Sequence, residues 1–445
     1  MDILIKNGTI VNADKSFGAD ILIINGKIAE IGTSLSATST KTEIIDANGK
    51  YIIPGGIDPH VHLHLPGPAG FSSDDFYTGS KAALYGGTTS FIDFVTPRKG
   101  QNLTEALHER KKETSSSLLD NTFHVSPIEW RDSMPEEIKA CVAERISSFK
   151  IYMAYLDTIG LKDKDIQKVM KAVAEAGGMI TVHCELGEDV DRLRKEFIDN
   201  GQTIPKYHPL TRPNYVESEA VKKAIDFADE ADCPIYIVHV STKESLAHIK
   251  KAQQKGQRVF AETCPHYLLL DDSKYIGEFE QTAPFIMSPP LREKKDNEAL
   301  WQAVADGTIQ TIGTDHCPFT LDQKKLGIHD FTKIPNGAGG IEHRMALLYT
   351  YGVLTNRINL NRFVNLVSTQ PAKIFGLYPK KGVIRIGSDA DIVVWDPEKE
   401  SIISAQTHHQ NCDINIYEGI KTMGEAEYVV LGGNVTIRKG QQSGD

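Results

Sequence analysis

The stretch DIQKVMKAVAEAGGMITVHCE, residues 165–185, decides the fold class. Ile166, Val169, Met170 and Val173 fall at i, i+3, i+4 and i+7, the apolar stripe of a helix with one buried face. Gly177-Gly178 is a helix stop signal, and MITVHCE follows at once as a short apolar run. A strand that is apolar at nearly every position is buried on both faces, as in a parallel sheet covered by helices. The plan repeats in VESEAVKKAIDFADEADC, residues 216–233, where Val221, Ala224, Ile225 and Ala228 share one stripe, and PIYIVHV follows.

Outward from these units, eight strand candidates run through the middle of the chain: YIIPGGIDPHVH, TTSFIDF, NTFHVSPI, SFKIYMAY, MITVHCE, PIYIVHV, RVFAETCPHY and TIQTIGTD. Eight strands separated by helices predict an α/β fold, the (β/α)8 barrel, with a doubly wound sheet as the alternative. The two ends differ in texture. ILIKNGTIV and ILIINGKIAEIG each hold an Asn-Gly pair, at Asn7-Gly8 and Asn25-Gly26, which predicts two hairpins. GVIRIGSDADIVVWDP and YVVLGGNVTIRKG return to short β-type runs near the C-terminus. The expected organisation is a discontinuous small β-sandwich domain from residues 1–51 and 376–445, and a barrel from 52–375; independent terminal hairpins are the alternative.

The bulk properties narrow the partners. The chain has 445 residues and a formal charge of -10, which argues against nucleic acid as a partner, because phosphate binding needs a basic face. No apolar run approaches the ~18 residues that a membrane span requires. MDILIKNGTIVNADKS lacks a basic region followed by a long apolar segment, so no secretory leader is expected. Six scattered cysteines with no CxxC pair read as reduced, buried thiols of a cytoplasmic protein.

The chemistry concentrates at the ends of the predicted strands, where barrel enzymes carry their functional groups. DPHVHLHLPGPAG, residues 58–70, sets His60, His62 and His64 at alternate positions, on one side of an extended strand. Other runs are expected to end in Lys150, His183, His239 and Asp315. Imidazole and carboxylate without thiolate suit Zn²⁺, or a harder ion such as Mn²⁺ or Fe²⁺. His60, His62, His183 and His239 with Asp315 exceed the three or so protein ligands of a single catalytic zinc. They point to two ions, ~3.5–4 Å apart.

In this order, HVH, SSFKIYMAY, TVHCE, YIVHVS and GTDHCPF resemble the cyclic amidohydrolases, closest to the dihydropyrimidinase and hydantoinase branch. FSSDDFYTG, MSPPLR and KIPNGAGGIEHR extend the resemblance, which runs from LIKNGTIV to GSDADIVVWDP. It implies a hydrolase that opens the cyclic amide of a small imide or ureide ring. It also implies that CO2 converts Lys150 to a carbamate bridging two divalent ions, most simply Zn²⁺. His60, His62 and Asp315 would hold one ion, and His183 and His239 the other. Asp315 would take a proton from the attacking water and deliver it to the leaving nitrogen, and Tyr155 would bind the developing oxyanion.

The same resemblance assigns the ring's imide edge to the main chain at Ser288 and Asn336, and a homo-oligomer, tetramer or dimer. Leu65, Tyr152 and Ile159 would wall the ring substituent, and His64 reads as a pocket residue. His64 stands where dihydroorotases carry an arginine for the substrate carboxylate, which weakens that alternative. Leu156-Asp157 departs from the Lys-Gly of typical hydantoinases, leaving substrate preference open. Allantoinase and a non-catalytic scaffold are the other readings, the scaffold disfavoured because every ligand position is filled.

Overall fold

The structure, a computed structural model, describes residues 2–442. Its centre is a parallel eight-stranded sheet: β1 Gly56–Val61, β2 Thr88–Val95, β3 Asp120–Val125, β4 Ser148–Tyr152, β5 Met179–His183, β6 Ile235–Ile237, β7 Val259–Thr263 and β8 Thr311–Ile312. Neighbours in sequence are neighbours in space, from β1 round to β8. The ring closes just past its last strand: Val61 bridges His316 in parallel, and the His62 N–H donates to His316 O at 2.8 Å. This is the (β/α)8 barrel expected from the strand count.

Sequence explains the local order. Helix Asp163–Glu175 buries Ile166, Val169, Met170 and Val173, the stripe read from the periodicity. Gly177 ends it with φ +77°, in a left-handed turn that costs glycine little. There the Gly178 N–H reaches Val173 O and the Gly177 N–H reaches Ala174 O, satisfying carbonyls the helix leaves open. Helix Asn214–Glu230 buries Val221, Ala224, Ile225 and Ala228 against the barrel in the same way. Five of the six cysteines are buried, and all six are free thiols.

The chain ends form two further sheets. A four-stranded sheet contains Ile3–Lys6, Asp20–Ile24, Lys27–Gly32 and Glu43–Asp46. A seven-stranded sheet joins Thr9–Val11, Ser16–Gly18 and Tyr51–Pro54 to the C-terminal strands Ile392–Ile402, Lys421–Leu431, Asn434–Arg438 and Gln441–Gln442. Ile3, Ile5, Ile21 and Ile45 pack with Ile52, Ile392, Val394 and Val430 in one apolar core. Residues from both termini therefore share a β-sandwich.

Two local expectations are corrected. Asn25-Gly26 makes the predicted hairpin between Asp20–Ile24 and Lys27–Gly32, with φ of +50° and +73°. Asn7-Gly8 does not. Ile3–Lys6 pairs with Asp20–Ile24, whereas Thr9–Val11 pairs with Ser16–Gly18 and Tyr51–Pro54. The pair is thus the step from one sheet to the other. Gly8 is needed there for space, since a Cβ would lie 2.5 Å from Ile52 Cδ1.

YIIPGGIDPHVH is also two strands. Tyr51–Pro54 lies antiparallel to Ile392–Trp395 in the terminal sheet, and β1 begins at Gly56. Both halves are apolar, so composition hides the change of sheet.

Candidate metal centre

β1 carries His60, and the following turn carries His62. Their Nε2 atoms lie 3.2 Å apart, and each is 3.1 Å from Asp315 Oδ1. Ligand atoms at ~2.0–2.1 Å from a tetrahedral Zn²⁺ sit about 3.3 Å from one another. The triangle of two imidazole nitrogens and a carboxylate oxygen therefore fits a divalent cation at its centre. His60 Nδ1 faces Glu262 Oε1 at 2.7 Å and donates its hydrogen there, so Nε2 is the atom that would turn a lone pair to a cation on losing its own proton.

Electrostatics agrees with the geometry. Burial alone would lower the pKa of His60, but the carboxylates of Glu262 and Asp315 raise it to about 9. Burial would raise Asp315, yet His60 and His62 hold it well below the usual carboxylate range. The pocket favours positive charge. Burial pushes His239 well below the usual histidine range, so it is the neutral imidazole that a metal requires.

A second pair stands beside the first. His183, the last residue of β5, places Nδ1 3.0 Å from His239 Nε2. His183 Nε2 lies 2.8 Å from Glu185 Oε2, and Glu185 is in turn paired with buried Arg212. Burial disfavours the Glu185 anion, but Arg212 and His183 hold its pKa at about 2. The carboxylate thus stays charged and fixes the tautomer of His183. The rings of His60 and His239 lie 5.4 Å apart, which brings the two pairs into one pocket.

Lys150 projects from the middle of β4 rather than from its end, with 1% of its surface exposed. Its Nζ lies 4.9 Å from the Phe94 ring centre and 5.0 Å from that of Tyr152. Burial lowers its pKa to about 8, against the pull of Asp315 and Glu262.

Of the other candidate residues, Tyr155 and Tyr152 stand nearest the histidines. Tyr155 sits with φ +62°, its ring 5.3 Å from that of His183, and burial raises its pKa. Ser288 Oγ donates to Asn336 Oδ1 at 2.8 Å, which joins the two segments assigned to ring recognition. Leu65 and Ile159 are half-buried in loops; the Leu65 N–H is held by Ser72 Oγ and that of Ile159 by Tyr155 O. Tyr152 is buried, 6.0 Å ring to ring from His183.

His64 breaks the expected alternation. The strand stops at Val61 and His64 takes φ +49°. Its side chain is 37% exposed, stacks on Phe71 at 3.9 Å and lies 4.0 Å from Glu113. It is therefore not brought to the face that His60 and His62 share. His316 is fully buried between Asp74, at 2.9 Å, and the N–H groups of Gly340 and Ile341. It ties loops together behind Asp315.

His239, Asp315 and Tyr155 have φ of +39°, +50° and +62°. Such backbone costs non-glycine residues of order 1–3 kcal/mol each, and it persists where surrounding structure holds a functional geometry.

Glu262 escaped the sequence reading. It lies inside β7 and binds His60, the Tyr236 hydroxyl and the His239 N–H. A carboxylate within a buried parallel strand is costly unless paired, and that was the available signal. Glu262→Gln is expected to weaken metal affinity 10–100-fold with the fold retained. Competition against a chromogenic chelator measures this, and unchanged affinity contradicts the role.

The amidohydrolase family model matches residues 51–436. The chain belongs to the amidohydrolase family. It is 44% identical over 441 residues to a D-hydantoinase of Geobacillus stearothermophilus, covering 98% of this chain and 93% of that protein. It is 40% identical over 445 residues to a dihydropyrimidinase of Rattus norvegicus, covering 98% and 86%. The crystal structure of dihydropyrimidinase from Brevibacillus agri NCHU1002 has a TM-score of 0.98 and 42% identity, covering 100% and 96%. This amidohydrolase is therefore an enzyme of the hydantoinase and dihydropyrimidinase branch, as the motifs implied, and nothing favours the allantoinase alternative.

Proposed function

We propose that this amidohydrolase opens the cyclic amide bond of dihydropyrimidines or 5-substituted hydantoins, using two divalent ions, most simply Zn²⁺. The observation that carries the reading is the pocket formed by the His60, His62 and Asp315 triangle beside the His183 and His239 pair. His60, His62 and Asp315 would hold one ion, His183 and His239 the other, and a carbamate on Lys150 would bridge them. The lowered pKa of Lys150 supports this last assignment, because only the neutral amine can attack CO2.

When bound, such ions supply Lewis acidity that lowers the pKa of water towards ~7. The protein's own groups do the rest. Asp315 accepts the proton of the attacking water at its free carboxylate oxygen and passes it to the leaving ring nitrogen. Tyr155 donates its hydroxyl hydrogen to the carbonyl oxygen as negative charge develops, a role worth ~2.7–4 kcal/mol for a well-placed donor. The main chain at Ser288 and Asn336 reads the imide edge of the ring. Leu65, Tyr152 and Ile159 offer apolar surface to its substituent. Such surface discriminates by only ~1–3 kcal/mol per methylene, so several related rings are accepted. His64, stacked on Phe71 in the loop that carries Leu65, would serve as a pocket residue.

We further infer two units, expected from the sequence as a catalytic barrel over 52–375 and a β-sandwich over 1–51 with 376–445, with the first boundary moved to Gly56 because Tyr51–Pro54 pairs in the sandwich sheet, together with a cytoplasmic location and a homo-oligomer, dimer or tetramer. No helix among the described residues is long and apolar enough to cross a membrane. The experiment is ring opening by protein supplied with Zn²⁺ and bicarbonate, on dihydrouracil, 5-substituted hydantoins, allantoin and dihydroorotate. Turnover of the first two classes with dihydroorotate untouched is expected. Turnover of allantoin or dihydroorotate alone contradicts the reading.

A further inference from the structure

Lys324 is fully buried, yet it forms no ion pair with any described residue. It sits at the end of the short helix Leu321–Lys324 and gives its ammonium hydrogens to three main-chain carbonyls. These are Ile286 O at 3.0 Å, Pro335 O at 2.7 Å and Gly337 O at 2.8 Å. The last two flank Asn336, and Ile286 lies two residues before Ser288. One cation therefore grips both segments assigned to ring recognition. Burial pulls its pKa down to about 7, but only the ammonium carries the three N–H donors that three carbonyls need.

The segment before Pro290 is clamped at almost every carbonyl. The Tyr275 hydroxyl donates to Phe285 O at 3.2 Å, His208 Nε2–H to Met287 O at 2.8 Å, and the Tyr267 hydroxyl to Pro289 O at 2.6 Å. The Gly337 N–H adds a bond to Ile286 O at 3.0 Å. The exceptions are instructive. Neither the N–H nor the C=O of Ser288 or of Asn336 has a hydrogen-bond partner among the described residues. Their side chains are engaged, with Ser288 Oγ on Asn336 Oδ1 and Asn336 Nδ2 on Ile334 O. Main-chain groups that no protein atom meets are open to water and to a ligand that displaces it.

We propose that Lys324 is a positioning residue for ring recognition, which locks the Ser288 loop to the Asn336 loop so that their free main-chain groups meet the substrate at a fixed spacing. This rests on the reading of Ser288 and Asn336 given above and deepens it. An imide edge offers a donor flanked by acceptors in one rigid plane, so it rewards a rigid partner. Arginine is a poor replacement, because its planar fork cannot point three donors at carbonyls arranged around one nitrogen.

The test compares Lys324→Met and Lys324→Gln with the parent enzyme, each loaded with metal, on dihydrouracil. The expected result is a KM raised at least tenfold in Lys324→Met, with metal content unchanged and kcat lowered by less than threefold. Lys324→Gln keeps two N–H donors and should fall between the two. A melting temperature that drops while KM stays within twofold makes the lysine merely structural and overturns the inference. So does failure of both variants to give soluble, metal-loaded protein. A parent enzyme that turns over none of the cyclic imides instead sinks the proposed function, and is told apart because it does not involve Lys324.

Discussion

Lys150→Ala is expected to lose its metal and at least about a thousandfold in kcat/KM, a loss of roughly 4 kcal/mol in transition-state stabilisation. The reason lies in its setting. Lys150 is buried in the middle of β4, below Phe94 and Tyr152 and within the field of Asp315 and Glu262. An unmodified ammonium there would oppose the two proposed cations, whereas a carbamate would supply an anion to them. Alanine would remove that anion and leave room for a small carboxylate. Formate, acetate or propionate added to the variant is expected to enter it and restore part of the activity. Metal content by elemental analysis and ring-opening rate measure both effects. A variant that keeps full activity and full metal contradicts the carbamate.

Asp315→Asn is expected to lower kcat by ~10²–10⁴ while KM changes only a few-fold. The substitution preserves size but removes the charge that His60 and His62 stabilise, and with it the proton acceptor. Because the segments at Ser288 and Asn336, proposed to read the ring, are held by Lys324 rather than by Asp315, ring binding should survive. Steady-state kinetics on dihydrouracil separate the two parameters. A raised KM with unchanged kcat would move Asp315 from proton transfer to substrate binding.

The barrel was legible because its helices and strands are short, periodic and repeated. The stripe from Ile166 to Val173 and the stop at Gly177 can be read from spacing alone, and tertiary packing had nothing to override. The clustering of His60, His62, His183, His239 and Asp315 was legible only through the barrel. Apart from the His60 and His62 pair these residues are far apart in sequence, and it is their common position at or near strand ends that brings them together.

What escaped follows from the same physics. Asn7-Gly8 carries a hairpin signal, yet which strands pair is a long-range matter decided by the sandwich core. The alternation that put His64 with its neighbours fails because β1 ends at Val61 and the backbone turns left-handed at His64. Glu262 and Lys324 were invisible for another reason. A buried charge is recognisable only once its partners are known, and these come from distant segments.

The most direct test of the two-ion centre is anomalous diffraction at the zinc edge from crystals grown with Zn²⁺ and bicarbonate. The account predicts two peaks, one against His60, His62 and Asp315 and one against His183 and His239, with added density on Lys150 between them. A single peak, or an unmodified Lys150 beside two ions, would contradict it.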